Sequence, residues 1–179
     1  MKKNPDSCSD TTTPRKRRWT RYLVEAVLLV LVVVAVRAYQ TRDAVQGPAP
    51  AFEAVLLDGT PVSLATFQDR PLLLHFWATW CPVCRVEQNN IQRLSEDHAV
   101  LTVSIDDMSA EKLVEWMVKQ GVSYPVIPDP SSVLSRRYGI NGVPTSIIIG
   151  ADNQVRFIEV GYTTEIGLRL RLWWAGRSP

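Results

Sequence analysis

The stretch LLLHFWATWCPVC, residues 72–84, joins a continuous apolar run to two closely spaced cysteines. A run of this length without polar alternation is typical of a central β-strand that is buried on both faces. Pro82 follows the first cysteine, Cys81. Proline suits the first turn of a helix because its missing N–H removes no hydrogen bond there. The stretch therefore predicts a buried strand, Leu72–Trp77, then a tight turn and a helix from Cys81 to about Asp97.

Cys81 and Cys84 are separated by two residues, so both sulfurs lie in the first turn of the predicted helix. Free N–H groups and the helix dipole favour a thiolate at this end, which lowers the pKa of such cysteines. We expect Cys81 at the exposed tip to act as the nucleophile. Cys84, one turn deeper, is expected to resolve the mixed disulfide that forms. The pattern predicts a redox-active pair.

Three other uses of the pair are weaker. A structural disulfide that closes so short a loop constrains the unfolded chain little. A zinc site needs two more ligands, and the chain offers only His75, His98 and Cys8. The competing function is a Cu(I)-binding module in which both thiolates hold the soft ion, but the sequence near the pair lacks Met-rich or His-rich tracts. We therefore expect neither a metal nor another cofactor.

The rest of the chain beyond residue 50 alternates predicted strands with predicted helices. They are a hairpin at 52–64 turning at 58–59, a strand at 100–105, a helix at 109–120, a short strand at 126–127, a short helix at 131–138, a hairpin at 145–160 and a last helix at 165–175. This alternation predicts an α/β domain with a mixed sheet flanked by helices. The last helix is expected to turn four side chains to the core: Ile166, Leu170, Trp173 and Trp174.

Positive charge is concentrated at the N-terminus. Residues 1–21 carry a net charge of +5, whereas residues 22–179 carry a net charge of −3. A mildly acidic domain lacks the clustered basic charge of a nucleic-acid-binding protein, so that function is excluded. An apolar run at 23–36, interrupted only by Glu25, follows the basic segment directly.

This order of segments is typical of a membrane anchor. We expect residues 1–21 in the cytoplasm, 22–39 as an uncleaved transmembrane signal anchor, 40–51 as a linker and 52–179 as the catalytic domain. A cleaved signal peptide is the alternative, because residues 26–36 also have the length of an h-region. Both alternatives predict a catalytic domain in the periplasm, and the first predicts a single-pass protein of a bacterial inner membrane.

The string FWATWCPVC at residues 76–84, with Gly142-Val143-Pro144-Thr145 downstream, resembles the thioredoxin superfamily. It is most similar to the membrane-tethered TlpA-like branch, which includes cytochrome c biogenesis proteins and a thioredoxin-like protein of the copper-sensitivity suppressor group. The resemblance covers about residues 50–175. It implies a thioredoxin-like fold with an N-terminal β-hairpin and an α/β insertion between Ile105 and Pro144.

The same resemblance implies an activity and its partners. We expect a thiol:disulfide oxidoreductase that acts on protein dithiols and disulfides of the periplasm and receives electrons from a membrane protein. The spacing of the cysteines does not set the direction of electron flow. The anchor and the acidic residue Glu87 favour a dedicated reductase, in cytochrome c maturation or in protection against copper stress. The resemblance to the copper-stress group also leaves the role of an oxidant or of a protein that supports an isomerase open.

The resemblance also implies residues around the cysteines. Val143-Pro144 is expected to be a cis peptide that faces the disulfide, and Pro144 is therefore counted with the catalytic residues. Val143 is expected to offer backbone hydrogen bonds to an extended substrate. Trp80 and Thr145 are expected to contribute to the same substrate-binding surface.

Two ionisable residues near the pair are candidates for proton transfer. Glu87 lies three residues after Cys84 and so on the same helical face, where burial raises the pKa of a carboxyl. An acid at the matching position of the TlpA-like branch implies that Glu87 exchanges a proton with Cys84. A solvated acid that complements the helix dipole is the alternative. His75 stands where thioredoxins carry a buried acid, and it is either a candidate proton relay or a structural histidine.

Overall fold

The computed structural model describes residues 15–42 and 44–177, so Cys8 and most of the predicted cytoplasmic segment lie outside the described residues. The chain divides into two compact units after Tyr39. Most of helix α1 (Arg15–Thr41) belongs to the first unit. The described stretches include no helix whose length and apolar character would let it cross a membrane.

The second unit contains the predicted alternation of strands and helices. In chain order the elements are β1 (Gly47–Pro48), β2 (Glu53–Val55), β3 (Pro61–Ser63), a 3-10 turn (Leu64–Phe67), β4 (Leu72–Trp77), α2 (Pro82–Ser95), β5 (Ala99–Ser104), α3 (Ala110–Gln120), β6 (Val126–Pro128), α4 (Val133–Arg137), β7 (Thr145–Ile149), β8 (Gln154–Val160) and α5 (Glu165–Ala175). The predicted mixed α/β fold, with its N-terminal hairpin β2–β3, is confirmed.

The main sheet has the strand order β1-β8-β7-β4-β5-β6. Strands β4, β5 and β6 are parallel, while β7 and β8 run antiparallel to their neighbours. The predicted insertion is present as α3, β6 and α4, and it adds β6 at the edge of the sheet. Because β4 and β5 are parallel and Trp77 pairs with Ser104, the two chain segments that follow these strands leave the sheet at the same edge.

Strand β4 separates two apolar cores because its side chains alternate between the faces of the sheet. Leu73 and Trp77 join a cluster with residues of α2, α3 and α5, and this cluster includes both cysteines. Leu74 and Phe76 join the opposite cluster, together with residues of the N-terminal hairpin and α4. His75 shares the face of Leu73 and Trp77, so it lies on the side of the sheet that carries the cysteines.

Helix α5 turns a different face to the sheet from the one predicted. The buried positions are four and three residues apart: Leu168, Leu172 and Ala175. The side chains that we expected to face inward are exposed instead: Ile166, Leu170, Trp173 and Trp174. The prediction was wrong because α5 is apolar on both faces, so periodicity alone does not decide which face packs on the sheet.

The predicted linker at 40–51 is partly built into the fold. Gly47 and Pro48 form β1, which pairs with Val155 and Gln154 of β8. Ala44 is buried as well. The pairing of β1 with β8 fixes the second half of this segment on the main sheet.

Candidate active site

Cys81 and Cys84 are joined by a disulfide at the N-terminus of α2. Cys81 is the N-cap residue, and its Sγ accepts a hydrogen bond of 3.1 Å from the backbone N–H of Cys84. Pro82 occupies the first helical turn, as predicted. This geometry directs free N–H groups of the helix end at the Cys81 sulfur, which is the arrangement that stabilises a thiolate once the disulfide is reduced.

The exposure of the two sulfur-bearing residues differs from our expectation. Cys81 is 4% exposed and Cys84 is 3% exposed, so the nucleophile candidate does not lie at an open tip in the disulfide state. Ala78 and Val143 pack in the same apolar cluster as the two cysteines. Trp80 is 61% exposed and stands beside the disulfide in sequence, so it gives this end of the molecule a large apolar surface.

The loop that covers the disulfide contains the expected cis peptide between Val143 and Pro144. The carbonyl oxygen of Val143 lies 3.6 Å from the Cys81 sulfur. The carbonyl oxygen of Pro144 accepts a 2.8 Å hydrogen bond from the N–H of Gly161, which fixes the far side of the loop. The loop is therefore close enough to the reactive sulfur for a bound substrate segment to touch both.

Thr145 was predicted to bind substrate, and its placement does not fit that role. The side chain is 2% exposed. Its hydroxyl donates a 2.7 Å hydrogen bond to the carbonyl oxygen of Gly142. Thr145 therefore holds the loop in shape instead of presenting a group to a partner.

Glu87 lies on the inner face of α2, which is where a residue that exchanges a proton with Cys84 has to lie. The residue is fully buried, which excludes the solvated acid. Its Oε1 accepts a 3.1 Å hydrogen bond from the backbone N–H of Thr163, while Oε2 has no hydrogen-bond partner. Burial raises the pKa of Glu87 from 4.5 to about 7, and the Thr163 hydrogen bond opposes this shift only partly. The carboxyl is poised to change its protonation state near neutral pH.

His75 is buried in the middle of β4. Its Nδ1 lies 2.9 Å from the hydroxyl oxygen of Ser146, its cross-strand partner on β7. Burial lowers the pKa of His75 to about 3, so the ring is neutral near pH 7. A neutral, hydrogen-bonded imidazole fits both alternatives, because it can serve as a structural residue or pass a proton between two groups.

Asp106 supports the turn before the cysteines, and sequence analysis missed it. It is buried, and its carboxylate accepts hydrogen bonds from the N–H and the hydroxyl of Thr79 at 2.9 Å and 2.7 Å. Ser104 donates a third hydrogen bond at 2.7 Å. The signal was available: an acid that directly follows a buried strand meets the end of the neighbouring parallel strand.

The Cu(I) alternative depends on Cys81 and Cys84 as ligands. Over residues 15–42 and 44–177, no group of three or more His, Cys, Asp and Glu side chains is placed to hold a metal ion. The two cysteine sulfurs that the Cu(I) alternative requires are bonded to each other in this structure.

Comparisons with known proteins agree with this geometry. The sequence profile of the AhpC/TSA family matches residues 45–158. The chain is 30% identical over 157 residues to the thiol:disulfide interchange protein DsbE of Yersinia pestis, covering 77% of this chain and 82% of the relative. It is 26% identical over 159 residues to the thiol-disulfide oxidoreductase ResA of Halalkalibacterium halodurans, covering 84% of this chain and 90% of the relative.

A solved structure gives the same result for the fold. A thiol:disulfide interchange protein of the thioredoxin family from Chlorobium tepidum superimposes with a TM-score of 0.64 at 28% sequence identity. The match covers 74% of this chain and 98% of that chain. The predicted thioredoxin-like arrangement is thereby confirmed.

Proposed function

The chain belongs to the AhpC/TSA family and is a thioredoxin-like thiol-disulfide oxidoreductase, and from that premise we propose that it is a membrane-tethered reductase of periplasmic protein disulfides. One observation carries the proposal: a disulfide at a helix N-terminus, covered by a cis-proline loop, has a buried and half-satisfied carboxyl one helical turn away. A disulfide that served only to staple the fold would need no such acid.

The exchange proceeds in two steps. In the reduced protein the Cys81 thiolate attacks one sulfur of the partner disulfide, forming a mixed disulfide and releasing the other partner sulfur as a thiolate. The Cys84 thiolate then attacks Cys81 Sγ, forming the Cys81–Cys84 disulfide and releasing the second partner thiolate. Two electrons pass to the partner, which takes up two protons from the site or from solvent.

Glu87 accepts the proton that Cys84 must lose before the second step. Its free Oε2 provides the acceptor, and its pKa of about 7 leaves a large part of the carboxyl ionised at neutral pH. His75 is the second candidate for proton transfer. Its support is its position on the cysteine-bearing face of β4 and its hydrogen bond to Ser146.

The substrate-binding surface is proposed to lie beside the disulfide. Trp80 offers an exposed indole for apolar contact with a partner. The backbone at Val143 offers hydrogen bonds to an extended partner segment, and Pro144 holds this backbone next to Cys81. Recognition through backbone groups would let one enzyme accept partners of different sequence.

The proposed location rests on the sequence of the N-terminal unit. A basic segment followed by the apolar stretch of α1 supports an anchor with the N-terminus in the cytoplasm and the catalytic domain in the periplasm. The resemblance to the TlpA-like branch supports cytochrome c maturation or protection against copper stress as the process, and a membrane protein as the electron donor.

The direction of the reaction is tested by equilibrating the protein with reduced and oxidised glutathione and measuring the fraction of the Cys81–Cys84 disulfide. A protein that reduces its partners has a low reduction potential, so its own disulfide is hard to reduce and persists in buffers that reduce a strongly oxidising protein such as DsbA. We therefore expect a reduction potential below that of the glutathione pool. A potential well above that of glutathione would assign the protein to disulfide formation instead.

A further inference from the structure

Helix α5 carries a second apolar face on the side away from the sheet. Ile166 is 72% exposed, Leu170 is 62% exposed and Trp173 is 57% exposed. These positions are four and three residues apart, so they form one stripe along the helix. We call Ile166, Leu170 and Trp173 the outer stripe of α5.

The outer stripe is unusual for a surface helix. Such a helix carries polar residues opposite its buried face, whereas a helix that is apolar all round has both faces covered. The adjacent Trp174 is 48% exposed, and its ring contacts Phe157 at a centroid distance of 5.3 Å. The apolar surface therefore extends from the outer stripe through Trp174 to Phe157 on β8.

Arginines border the outer stripe. Arg169 pairs with Glu165 at 2.9 Å on one side, and Arg171 pairs with Glu159 at 2.7 Å on the other. At the C-terminal end of α5, the guanidinium of Arg177 lies 3.7 Å from the centre of the Trp173 ring. Segment 165–177 carries three arginines against one glutamate, in a domain whose net charge is negative.

We propose that the outer stripe of α5 docks on the surface of a bilayer that contains anionic lipid. A stripe of aliphatic side chains and a tryptophan, bordered by arginines, is the pattern of helices that lie at the membrane–water boundary. Trp173 and Leu170 would enter the boundary between headgroups and acyl chains, and Arg177 would remain at the level of the phosphates.

A second copy of the chain fits this surface less well. A symmetric dimer would bury the outer stripe of one copy against that of the other, and Arg169 and Arg171, which border it, already have acidic partners within their own copy. A contact through one stripe of three side chains is small for a stable interface. Docking on lipid is a property separate from thiol exchange. It rests on one part of the proposed function, the location of the domain at a membrane.

The test uses the full chain reconstituted in vesicles of phosphatidylcholine, with and without phosphatidylglycerol. Lipids brominated near the headgroup quench tryptophan emission, and the measured quantity is the extra quenching that phosphatidylglycerol produces. We expect this increment in the wild-type protein. In the double variant Ile166→Glu/Leu170→Glu it should fall at least about fivefold, because carboxylates are strongly disfavoured below the headgroups.

Two controls accompany the double variant. Val118→Glu changes a valine of α3 that is 75% exposed, and it should keep the increment. Trp173→Phe keeps the stripe apolar but removes one reporter ring, so it should lower the signal without abolishing docking. Equal increments in the wild-type protein and the double variant would overturn the proposal. The proposal would also be overturned if the extra quenching vanished when each vesicle holds a single copy of the protein. That result would show that a second copy, and not lipid, covers the outer stripe.

Disulfide exchange is measured on the same proteins in detergent. The docking variants should exchange thiols at the wild-type rate, because none of them touches the cysteines, the cis-proline loop or Glu87. Loss of exchange in the wild-type protein would contradict the proposed function and leave the quenching result standing. A chain that floats with neither kind of vesicle overturns the tether and the docking together.

Discussion

Glu87 is a carboxyl that folding removes from water without a compensating cation. No ion pair reaches it within the described residues, and a single backbone N–H from Thr163 satisfies one of its oxygens. A buried carboxyl without a partner destabilises the folded protein. Ionisable groups with pKa values perturbed by burial are concentrated at functional sites. We therefore expect resolution by Cys84 to depend on the ionisation of this one side chain.

Replacing Glu87 with glutamine keeps the shape of the side chain and its hydrogen bond from Thr163, but removes the titration. We expect the first step at Cys81 to proceed at nearly the wild-type rate, because the helix end sets that thiolate. Resolution by Cys84 should slow by about 100-fold, at the low end of what a positioned general base contributes. Rapid-quench alkylation with mass spectrometry follows both steps.

The pH profile gives a second readout of the same variant. In the wild-type protein resolution should accelerate as pH rises through about 7, because the Glu87 carboxyl ionises there, although the thiols couple to this ionisation. The glutamine variant should lose that ionisation. Glu96→Gln, at the exposed C-terminal end of the same helix, is the matched control. Unchanged resolution in Glu87→Gln across about pH 5 to 9 would remove Glu87 from the mechanism.

At the scale of elements, the site depends on two parallel strands that end together. The chain after β4 forms the turn that leads to Cys81, and the chain after β5 supplies Asp106. Three donors from Thr79 and Ser104 converge on its carboxylate. The turn is thereby held by a segment that is distant in sequence. Because Cys81 directly follows this turn, the turn sets the position of the cysteines.

Asp106→Ala should leave those buried donors without an acceptor. Each unsatisfied buried group costs about 1 to 3 kcal/mol, so we expect the free energy of unfolding to fall by about 3 kcal/mol or more. Chemical unfolding followed by near-ultraviolet circular dichroism measures the change. Asp107→Ala, at the exposed neighbouring position, is the control and should change stability little. Equal effects of the two substitutions would show that Asp106 does not hold the turn.

For the whole molecule, two buried groups have opposite effects on stability. The pKa of Glu87 is raised from 4.5 to about 7, so the folded protein holds a proton that the unfolded chain has released, and stability falls as pH rises between those values. The pKa of His75 is lowered from 6.5 to about 3, so stability rises with pH between those values. From 4.5 to 6.5 the two contributions oppose each other.

Single variants should expose the two slopes. Glu87→Gln should be more stable than the wild-type protein above about pH 7, by at most about 3 kcal/mol for a shift of this size, and the difference should shrink as pH falls toward 4.5. His75→Gln should instead gain on the wild-type protein as pH falls below 6.5. Unfolding curves from about pH 4 to about pH 8 measure this, and three parallel stability profiles would contradict it.

Much of the fold follows from local patterns, and the errors have physical causes. The apolar run of β4, the proline after Cys81 and the cap of α3 at Ser109 each specify one conformation, so these elements were predicted with nearly correct bounds. The buried face of α5 was not, because two apolar faces compete and only the sheet selects between them. The burial of Cys81 depends on the loop at Val143, which is distant in sequence and meets Cys81 only after folding. Asp106 could have been found, because it follows a buried strand that is parallel to the strand before the cysteines.

We propose that Cys81 attacks the partner disulfide and that Cys84 resolves the mixed disulfide. The most direct measurement mixes each reduced single-cysteine protein with a disulfide-bonded peptide and identifies the trapped adduct by mass spectrometry. We expect Cys84→Ala to accumulate a stable mixed disulfide through Cys81, whereas Cys81→Ala should form little adduct. Rapid adduct formation through Cys84 in Cys81→Ala, together with an unreactive Cys81 in Cys84→Ala, would contradict this assignment of the two cysteines.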